Sequence, residues 1–326
     1  MRENWHDDRA GLAAKSVLQL LTLFIPEARP LEVTRMSEGL SNTTYRIRIR
    51  EQQQPMILRV YERADSADVE LAVLKSVAGR VPVPRVLYNV DANPATGTPC
   101  AILEYVERMT LTAAWRSLDA DGQLQLGSAV GEVLAALRSI AFESAGMFNA
   151  RLQVVEEVVL GSDTFLRYAH AAFDSPAFHG RVDRELASLV QSFVHREAKI
   201  LDRVTMAPHL VHGDFDPTNL IVNCEGGKWR VAGVLDWEHA FSGPALLDIG
   251  HILRPPHGRS AEFEAGLVQG LTRGAAALPA DWKRASVFVD LLAWFEFLAR
   301  ERIPHGVAET ARERIACTIA EWGDGA

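Results

Sequence analysis

The sequence predicts an α+β protein with a small antiparallel sheet and one helix at its N-terminal end and a larger, mainly helical part after it. Three observations support this prediction. Short runs rich in β-branched residues fill the stretch 31–106, apolar stripes at helical spacing dominate from Leu111 onward, and one hairpin interrupts the helical part at 220–235. We therefore expect two lobes, at 1–106 and 107–326.

Composition sets the broad class of the protein. The chain has 326 residues, a hydrophobic content of 48% and a net charge of −8. These values are typical of a soluble globular protein with ample core, and the negative charge argues against a general nucleic-acid-binding protein. The three separated cysteines indicate neither a disulfide framework nor a metal knuckle. Because there is no signal peptide and no apolar run of membrane-spanning length, we expect a cytoplasmic protein without a membrane partner.

The N-terminal elements follow from the spacing of apolar residues. A helix over 8–24 ends before Pro26, and a second helix is predicted at 65–77. In the second predicted strand, Tyr45, Ile47 and Ile49 alternate with arginines, so one face should be buried and the other wet. The predicted strands are 31–37, 43–50, 55–61, 85–90 and 100–106.

A turn with small polar residues joins the first two predicted strands at 37–43. The backbone N–H groups of such a turn can approach a phosphate, although an ordinary hairpin turn has the same composition. The sequence of this turn alone leaves both readings open.

The stretch 209–250 carries the strongest chemical pattern. Two apolar, β-branched-rich runs flank a Gly226-Gly227 turn and predict a hairpin. A register centred between residues 227 and 228 pairs Asn219 with Asp236 at the open end of that hairpin. An amide oxygen beside a carboxylate suits a hard cation such as Mg²⁺, which usually keeps few protein ligands beside substrate phosphates. Asp214, five residues before Asn219, can face this site from the preceding loop, as phosphoryl transfer requires of a proton acceptor.

Three short segments in this stretch resemble the aminoglycoside phosphotransferase family of small-molecule kinases. They are H-G-D-F-D-P-T-N at 212–219, D-W-E at 236–238, and G-P followed by D-I-G at 243–250. The resemblance implies a two-lobed protein-kinase-like fold with nucleotide in the cleft between the lobes. It also implies a phosphotransferase with an alcohol group as acceptor, using ATP or GTP and Mg²⁺.

The same resemblance implies the roles of individual residues. Asp214, with His212 and Asp248, is expected to form the catalytic group, and Asn219 and Asp236 are expected to bind the metal. Arg59 stands at the strand position whose cation holds the nucleotide phosphates, with Glu70 as its carboxylate partner. The expected nucleotide-binding residues are Gly39, Ser41, Asn42, Arg59, Glu70, Glu104 and Val106.

The chain departs from the family pattern at three places. Glu38 stands where many members have a second Gly in the nucleotide loop, and Arg59 stands where many have Lys. The usual Gly after the hinge is replaced by the segment 107–109. An arginine keeps the charge and forks to phosphate, but its geometry differs from that of an ammonium group.

The acceptor is the least determined part of the prediction. The first expectation is an aminoglycoside-like or other antibiotic hydroxyl, which would make the protein a resistance enzyme. Alternatives are a metabolite kinase, with a homoserine, choline or sugar type of acceptor, and a nucleotide-binding regulator without turnover. From Arg259 to the end there are ten acidic and eight basic residues, which is no decisive acidic patch for a polycation. Asp290, in an otherwise apolar helix, is expected to have a buried partner or to meet an ammonium group of the acceptor.

Overall fold

The structure is a computed structural model that describes residues 14–36, 42–50, 52–107, 109–204, 207–273 and 277–322. It confirms the α+β class, with a sheet-rich N-terminal part followed by a mainly helical part. The lobe boundary after residue 106 stays a prediction.

The N-terminal part is built on a five-stranded antiparallel sheet with the strand order β1-β2-β3-β5-β4. On one face, Val17, Leu20 and Leu21 of the first helix pack against Tyr45 and Ile47, as the alternation in the sequence predicts. The elements are α1 (Ala14–Phe24), β1 (Pro30–Met36), β2 (Asn42–Ile49), β3 (Met56–Tyr61), α2 (Ala64–Val77), β4 (Val86–Val90) and β5 (Cys100–Glu104).

Helix α2 covers part of the opposite face of this sheet. Its buried residues share a core with Tyr61 and Leu103 and with the buried Phe215 and Trp237 of the later part of the chain. The apolar contacts that hold α2 therefore also hold the two parts together.

The later part contains two small sheets among helices. One sheet has the strand order β11-β10-β6 and the other β8-β7-β12-β9. The first elements are β6 (Met109–Thr110), α3 (Leu111–Trp115), α4 (Ala120–Arg138), β7 (Gly146–Phe148), β8 (Val154–Glu157), α5 (Ser162–Phe173), α6 (Pro176–Arg181), α7 (Arg184–Glu197) and α8 (Ile200–Arg203). The remaining elements are β9 (His209–Val211), β10 (Leu220–Glu225), β11 (Lys228–Val234), β12 (Phe241–Gly243), α9 (Leu246–Ile252), α10 (Ala261–Thr272), α11 (Trp282–Ala299) and α12 (Val307–Glu321).

Helix α11 forms the centre of the C-terminal helical core. Phe288 and Phe295 are fully buried and pack against helices α5, α6 and α7. A helix that is apolar nearly all round belongs in such a position. No helix in the described ranges combines the length and hydropathy needed to cross a membrane.

The predicted hairpin is present, but its predicted register is wrong. Strand β10 pairs with β11 so that Glu225 faces Lys228, and Gly226 and Gly227, both at positive φ, form a two-residue turn. At the other end, the N–H of Leu235 donates to the carbonyl of Asn219 at 2.9 Å. Asn219 thus lies opposite Leu235 rather than Asp236. The turn is centred between Gly226 and Gly227, one residue earlier than predicted, and a register shift between Ile221 and Val222 then moves the pairing by one residue. Both side chains still belong to the same open end of the hairpin.

Candidate active site

The loop 212–219 between β9 and β10 is held by a buried carboxylate of α9. Asp248, which is 1% exposed, accepts hydrogen bonds from the backbone N–H groups of His212 at 2.8 Å and Gly213 at 2.9 Å. Burial raises the pKa of Asp248 to about 7, and the two N–H donors oppose that rise. Asp248 contacts only the backbone of the loop in these two hydrogen bonds, so it holds the loop in position.

His212 is fully buried inside the loop. Its Nε2 donates to the carbonyl of Leu235 at 2.8 Å, and its Nδ1 accepts from the N–H of Asp214 at 3.2 Å. Burial lowers the pKa of His212 to about 4, which agrees with a neutral ring that donates at one nitrogen and accepts at the other. His212 therefore connects the loop to the end of β11.

Gly213 has a backbone conformation that the loop requires. Its φ is +82°, and a Cβ atom there would overlap the backbone carbonyl of His239. Only glycine satisfies both conditions without strain. Gly213 thus allows the loop to pass against the segment after β11.

Gly213→Ala should destabilise the protein far more than the same change at Gly227. Gly227 has a similar φ of +78° but nothing within 4 Å of its Cβ position. We expect Gly227→Ala to cost about 1 kcal/mol from backbone strain. Gly213→Ala should cost roughly 3 kcal/mol or more, because backbone must also move away from the new methyl group. Urea unfolding of both variants measures the difference; equal losses would show that the contact with His239 does not constrain the loop.

Asp214 and Asn219 are in direct contact. The Asn219 Nδ2 donates to a carboxylate oxygen and to the backbone carbonyl of Asp214, both at 3.0 Å. Because the nitrogen of the amide faces Asp214, the amide oxygen points away from that carboxylate. Burial raises the pKa of Asp214, and the nearby Asp216 raises it further.

Arg59 lies at the centre of a cluster of carboxylates that joins β3 to the segment after β11. Its Nε is 3.2 Å from Glu70 of α2, so the ion pair expected from the sequence is present. Its other nitrogens contact Asp236 directly and Glu238 at 3.9 Å. Burial raises the pKa of Glu70 to about 7, against the opposing effect of Arg59. Three carboxylates face one guanidinium, which leaves the cluster acidic.

Glu238 is a site residue that the sequence interpretation did not assign. Besides facing Arg59, it accepts a hydrogen bond from the Nδ2 of Asn42 at 3.0 Å. Asn42 is 8% exposed, and its amide oxygen accepts from the N–H of Glu62 at 3.3 Å. The only signal in the sequence was the position of Glu238 two residues after Asp236.

Asp236 has an unusual backbone conformation, with φ of +62° and ψ of +64°. It begins a short 3-10 helix, and the buried indole of Trp237 donates to the carbonyl of Val234 at 3.0 Å. The side chain of Asp236 is 37% exposed, in contrast to Arg59 at 10%. A strained backbone that aims one accessible carboxylate is a common feature of functional sites.

The other predicted nucleotide-binding residues are Gly39, Ser41, Glu104 and Val106. Gly39 and Ser41 lie outside the described residues. The side chain of Glu104 pairs with Arg85 at 3.0 Å, and the N–H of Glu104 donates to the carbonyl of Arg85. Val106 packs against Gly233 of β11. Val106 thus lies at the junction between the first sheet and the hairpin, where a hinge was expected.

Asp290 has its partner within the protein. It is 6% exposed and forms a forked interaction with Arg254, whose Nε lies 3.0 and 3.1 Å from its two oxygens and whose Nη2 lies at 2.7 Å. The prediction that Asp290 has a buried partner is therefore confirmed, and its carboxylate is not left free for an ammonium group of the acceptor.

Comparison with known proteins places the chain in a family. Residues 32–288 match the sequence model of the phosphotransferase enzyme family, which is well over half of the chain. The chain belongs to this family. It is accordingly a phosphotransferase with an alcohol group as acceptor. The matched range contains Arg59, Glu70 and the whole segment from His212 to Arg254, and it ends just before Asp290.

Solved structures agree with the fold. A ternary complex of a thermostable mutant of aminoglycoside phosphotransferase APH(4)-Ia with AMP-PNP and hygromycin B has a TM-score of 0.66 at 19% identity, over 94% of this chain and 99% of that one. The GDP complex of aminoglycoside 2'-phosphotransferase-IIIa has a TM-score of 0.72 at 18% identity, over 94% and 97%. The predicted two-lobed kinase-like fold is confirmed.

One curated protein is also similar in sequence. Acyl-CoA dehydrogenase family member 10 from Mus musculus is 27% identical over 234 residues, which are 68% of this chain. The matched part is only 20% of the mouse protein. The chain therefore spans about a fifth of that relative's length.

Proposed function

We propose that this phosphotransferase is a small-molecule kinase that moves the γ-phosphoryl group of ATP or GTP to a hydroxyl group with the help of Mg²⁺. The observation that carries the proposal is that the contact between Asn219 and Asp214 lies at the same end of the hairpin as Asp236. Asn219 contacts Asp214 through its amide nitrogen and lies opposite the residue that precedes Asp236. In this proposal, one proton acceptor and two oxygen ligands border the same metal and acceptor site.

The residues present fit a magnesium ion. The Asn219 amide oxygen and the Asp236 carboxylate are hard oxygen ligands, and the acidic cluster around Arg59 favours a cation. In the part of the chain that the structure describes, no group of three or more His, Cys, Asp or Glu side chains could hold a metal. Mg²⁺ takes one or two protein ligands and completes its shell with water and phosphate, so the two proposed ligands suffice. When bound, the ion would offset the charge that develops on the phosphates.

Residues of the chain itself would carry out proton transfer, phosphate binding and positioning of the loop. Asp214 orients the acceptor hydroxyl and takes its proton as the new O–P bond forms and the bond to the β-phosphate breaks. The nucleoside diphosphate leaves with the electron pair of the broken bond. Arg59, which pairs with Glu70, would hold the phosphates, and Asn42 donates a hydrogen bond to Glu238 beside it. His212, buried within the loop, and Asp248, buried behind it, act by fixing the loop.

The first candidate acceptor is an aminoglycoside or another hydroxylated antibiotic. It is supported by two of the solved structures of similar fold, which are complexes with hygromycin B and with kanamycin. The pairing of Asp290 argues against a polycationic acceptor, because Arg254 already neutralises this carboxylate and also contacts Asp216. The carboxylates of Asp216 and Asp290 are thus unavailable to an ammonium group.

A second candidate acceptor is a metabolite, and the mouse relative suggests its chemistry. That relative is named for the acyl-CoA dehydrogenase family, and a segment similar to this chain is one part of it. Modules joined in one chain commonly act on related molecules, so a hydroxylated acyl-CoA thioester is a specific form of the metabolite hypothesis. It requires no acidic acceptor pocket, in agreement with the pairing of Asp290.

An acceptor screen separates these candidates. Purified protein with MgATP or MgGTP is incubated separately with kanamycin, hygromycin B, homoserine, choline, simple sugars and hydroxyacyl-CoA thioesters, and products are detected by mass spectrometry. We expect a mass increase of one phosphoryl group on a neutral or anionic acceptor, and loss of this product in Asp214→Asn. Nucleotide binding without product on any acceptor would favour the regulator instead.

A further inference from the structure

The residue Arg254 makes an interaction that neither the motifs nor the proposed chemistry accounts for. It lies two residues beyond the end of α9 and its side chain is 12% exposed. The guanidinium forks to Asp290 of α11, and its Nη1 donates to Asp216 of the loop at 3.2 Å. One buried cation thus connects helix α11 to the catalytic loop.

Asp216 connects Arg254 to the other residues of the loop through several hydrogen bonds. One carboxylate oxygen faces Arg254, while the other accepts from the N–H of Thr218 at 3.0 Å and from its hydroxyl at 2.8 Å. The backbone N–H of Asp216 donates to the carbonyl of Asp214, and its carbonyl accepts from the N–H of Asn219, both at 2.8 Å. The conformation of Asp216 therefore determines how Asp214 and Asn219 lie relative to each other.

The cation is itself held rigidly. The Trp294 indole donates to Asp290 at 3.0 Å, and the Arg254 guanidinium lies over the ring of the same indole at 4.4 Å from its centroid. Helices α9 and α11 approach closely at Gly250, where a Cβ would overlap the backbone carbonyl of Ser286. A forked, stacked arginine between close helices has little freedom to move.

We propose that Arg254 is a positioning residue for phosphoryl transfer, because it fixes Asp216 against α11 and thereby sets the loop that carries Asp214 and Asn219. Asp248 holds the first two residues of the loop and Arg254 holds its middle, so helix α9 and its end secure the loop at two points. The consequence for catalysis rests on the proposed function, whereas the consequence for the loop does not.

The test uses a double variant, because Arg254→Met alone would leave the Asp290 charge buried and unpaired. Arg254→Met with Asp290→Asn removes both charges, keeps an acceptor for the Trp294 indole, and frees Asp216. The control is Arg300→Met with Glu296→Gln, which removes an exposed ion pair of 2.7 Å at the end of α11. Hydrogen exchange at the amides of Asp216, Thr218 and Asn219 reports on the loop, and MgATP or MgGTP hydrolysis, with water as acceptor, reports on turnover.

We expect the double variant, and not the control, to speed exchange of the three loop amides about 10-fold or more while the amides of α11 stay protected. We expect kcat for hydrolysis to fall on the order of 10-fold or more, since small misplacements of catalytic groups are costly, with KM for nucleotide within about twofold. Asp216→Asn should give the same loss, and combining it with the double variant should add little.

Two results would overturn the proposal: unchanged exchange in the loop, or faster exchange with unchanged kcat. Faster loop exchange in a protein whose wild type neither hydrolyses nucleotide nor phosphorylates any acceptor would support the positioning of the loop and refute the proposed kinase activity. The two failures are therefore distinguishable.

Discussion

Asp214→Asn should lower kcat by roughly 10²–10⁴-fold, the usual contribution of a positioned acid–base group. The amide keeps the size of the carboxylate and a hydrogen bond to Asn219, so the loop should keep its shape. It loses the ability to take the proton of the acceptor hydroxyl. Nucleotide affinity, measured by calorimetry, should stay within about twofold, because Asp214 faces the acceptor rather than the phosphates.

The exposed Asp174→Asn is the matched control for this change and should leave turnover unaltered. The wild-type pH profile gives an independent check. Activity requires the ionised carboxylate, and burial together with Asp216 raises the pKa of Asp214. The rate should therefore fall, as pH decreases, at a higher pH than about 3.9, the ordinary value for aspartate. Near-normal kcat in Asp214→Asn would remove Asp214 from the reaction.

Asp236→Asn should lower activity on the order of 10²-fold, as expected when a group that stabilises developing charge is removed. An amide is a weaker ligand than a carboxylate for a hard cation, so the Mg²⁺ concentration needed for half-maximal rate should also rise. Arg59 keeps Glu70 and Glu238 as partners, so the fold should persist.

The control for Asp236→Asn is Asp281→Asn. Asp281 is exposed and has a positive φ of 61°, close to that of Asp236. Asp281→Asn therefore makes the same change in the same backbone conformation, but away from the site. It should leave both the rate and the Mg²⁺ dependence unchanged. If Asp236→Asn lowers the rate without changing the Mg²⁺ dependence, Asp236 does not hold the ion.

The N-terminal sheet was predictable from the sequence because its strands are short, mainly apolar runs, one of which, β2, alternates between buried and more exposed residues. The observed strands begin and end within one or two residues of the predicted ones, and Arg59 meets Glu70 as expected. The strands were predicted from local sequence patterns, and the Arg59–Glu70 pair from the resemblance to the family. A run that is apolar nearly all round likewise predicted the buried helix α11.

The hairpin register and the Arg254 interaction were not predictable in the same way. The register depended on where the turn is centred and on a register shift between Ile221 and Val222, and the Glu-Gly-Gly-Lys sequence decides neither. Arg254, Asp216 and Asp290 lie 38 and 36 residues apart along the chain, so only the packing of α9 on α11 brings them together. Glu238 joins the site because the positive φ of Asp236 turns the chain.

The most direct test is a crystal structure of the protein with Mn²⁺ and a non-hydrolysable nucleotide, with Mn²⁺ located by anomalous scattering. We expect an anomalous peak about 2.1–2.2 Å from both the Asn219 amide oxygen and an Asp236 carboxylate oxygen, beside the nucleotide phosphates. Asp214 should border the same cavity on the side away from the nucleotide. A metal peak bound to neither Asn219 nor Asp236, or a nucleotide outside the cleft between β3 and the hairpin, would refute the proposed site.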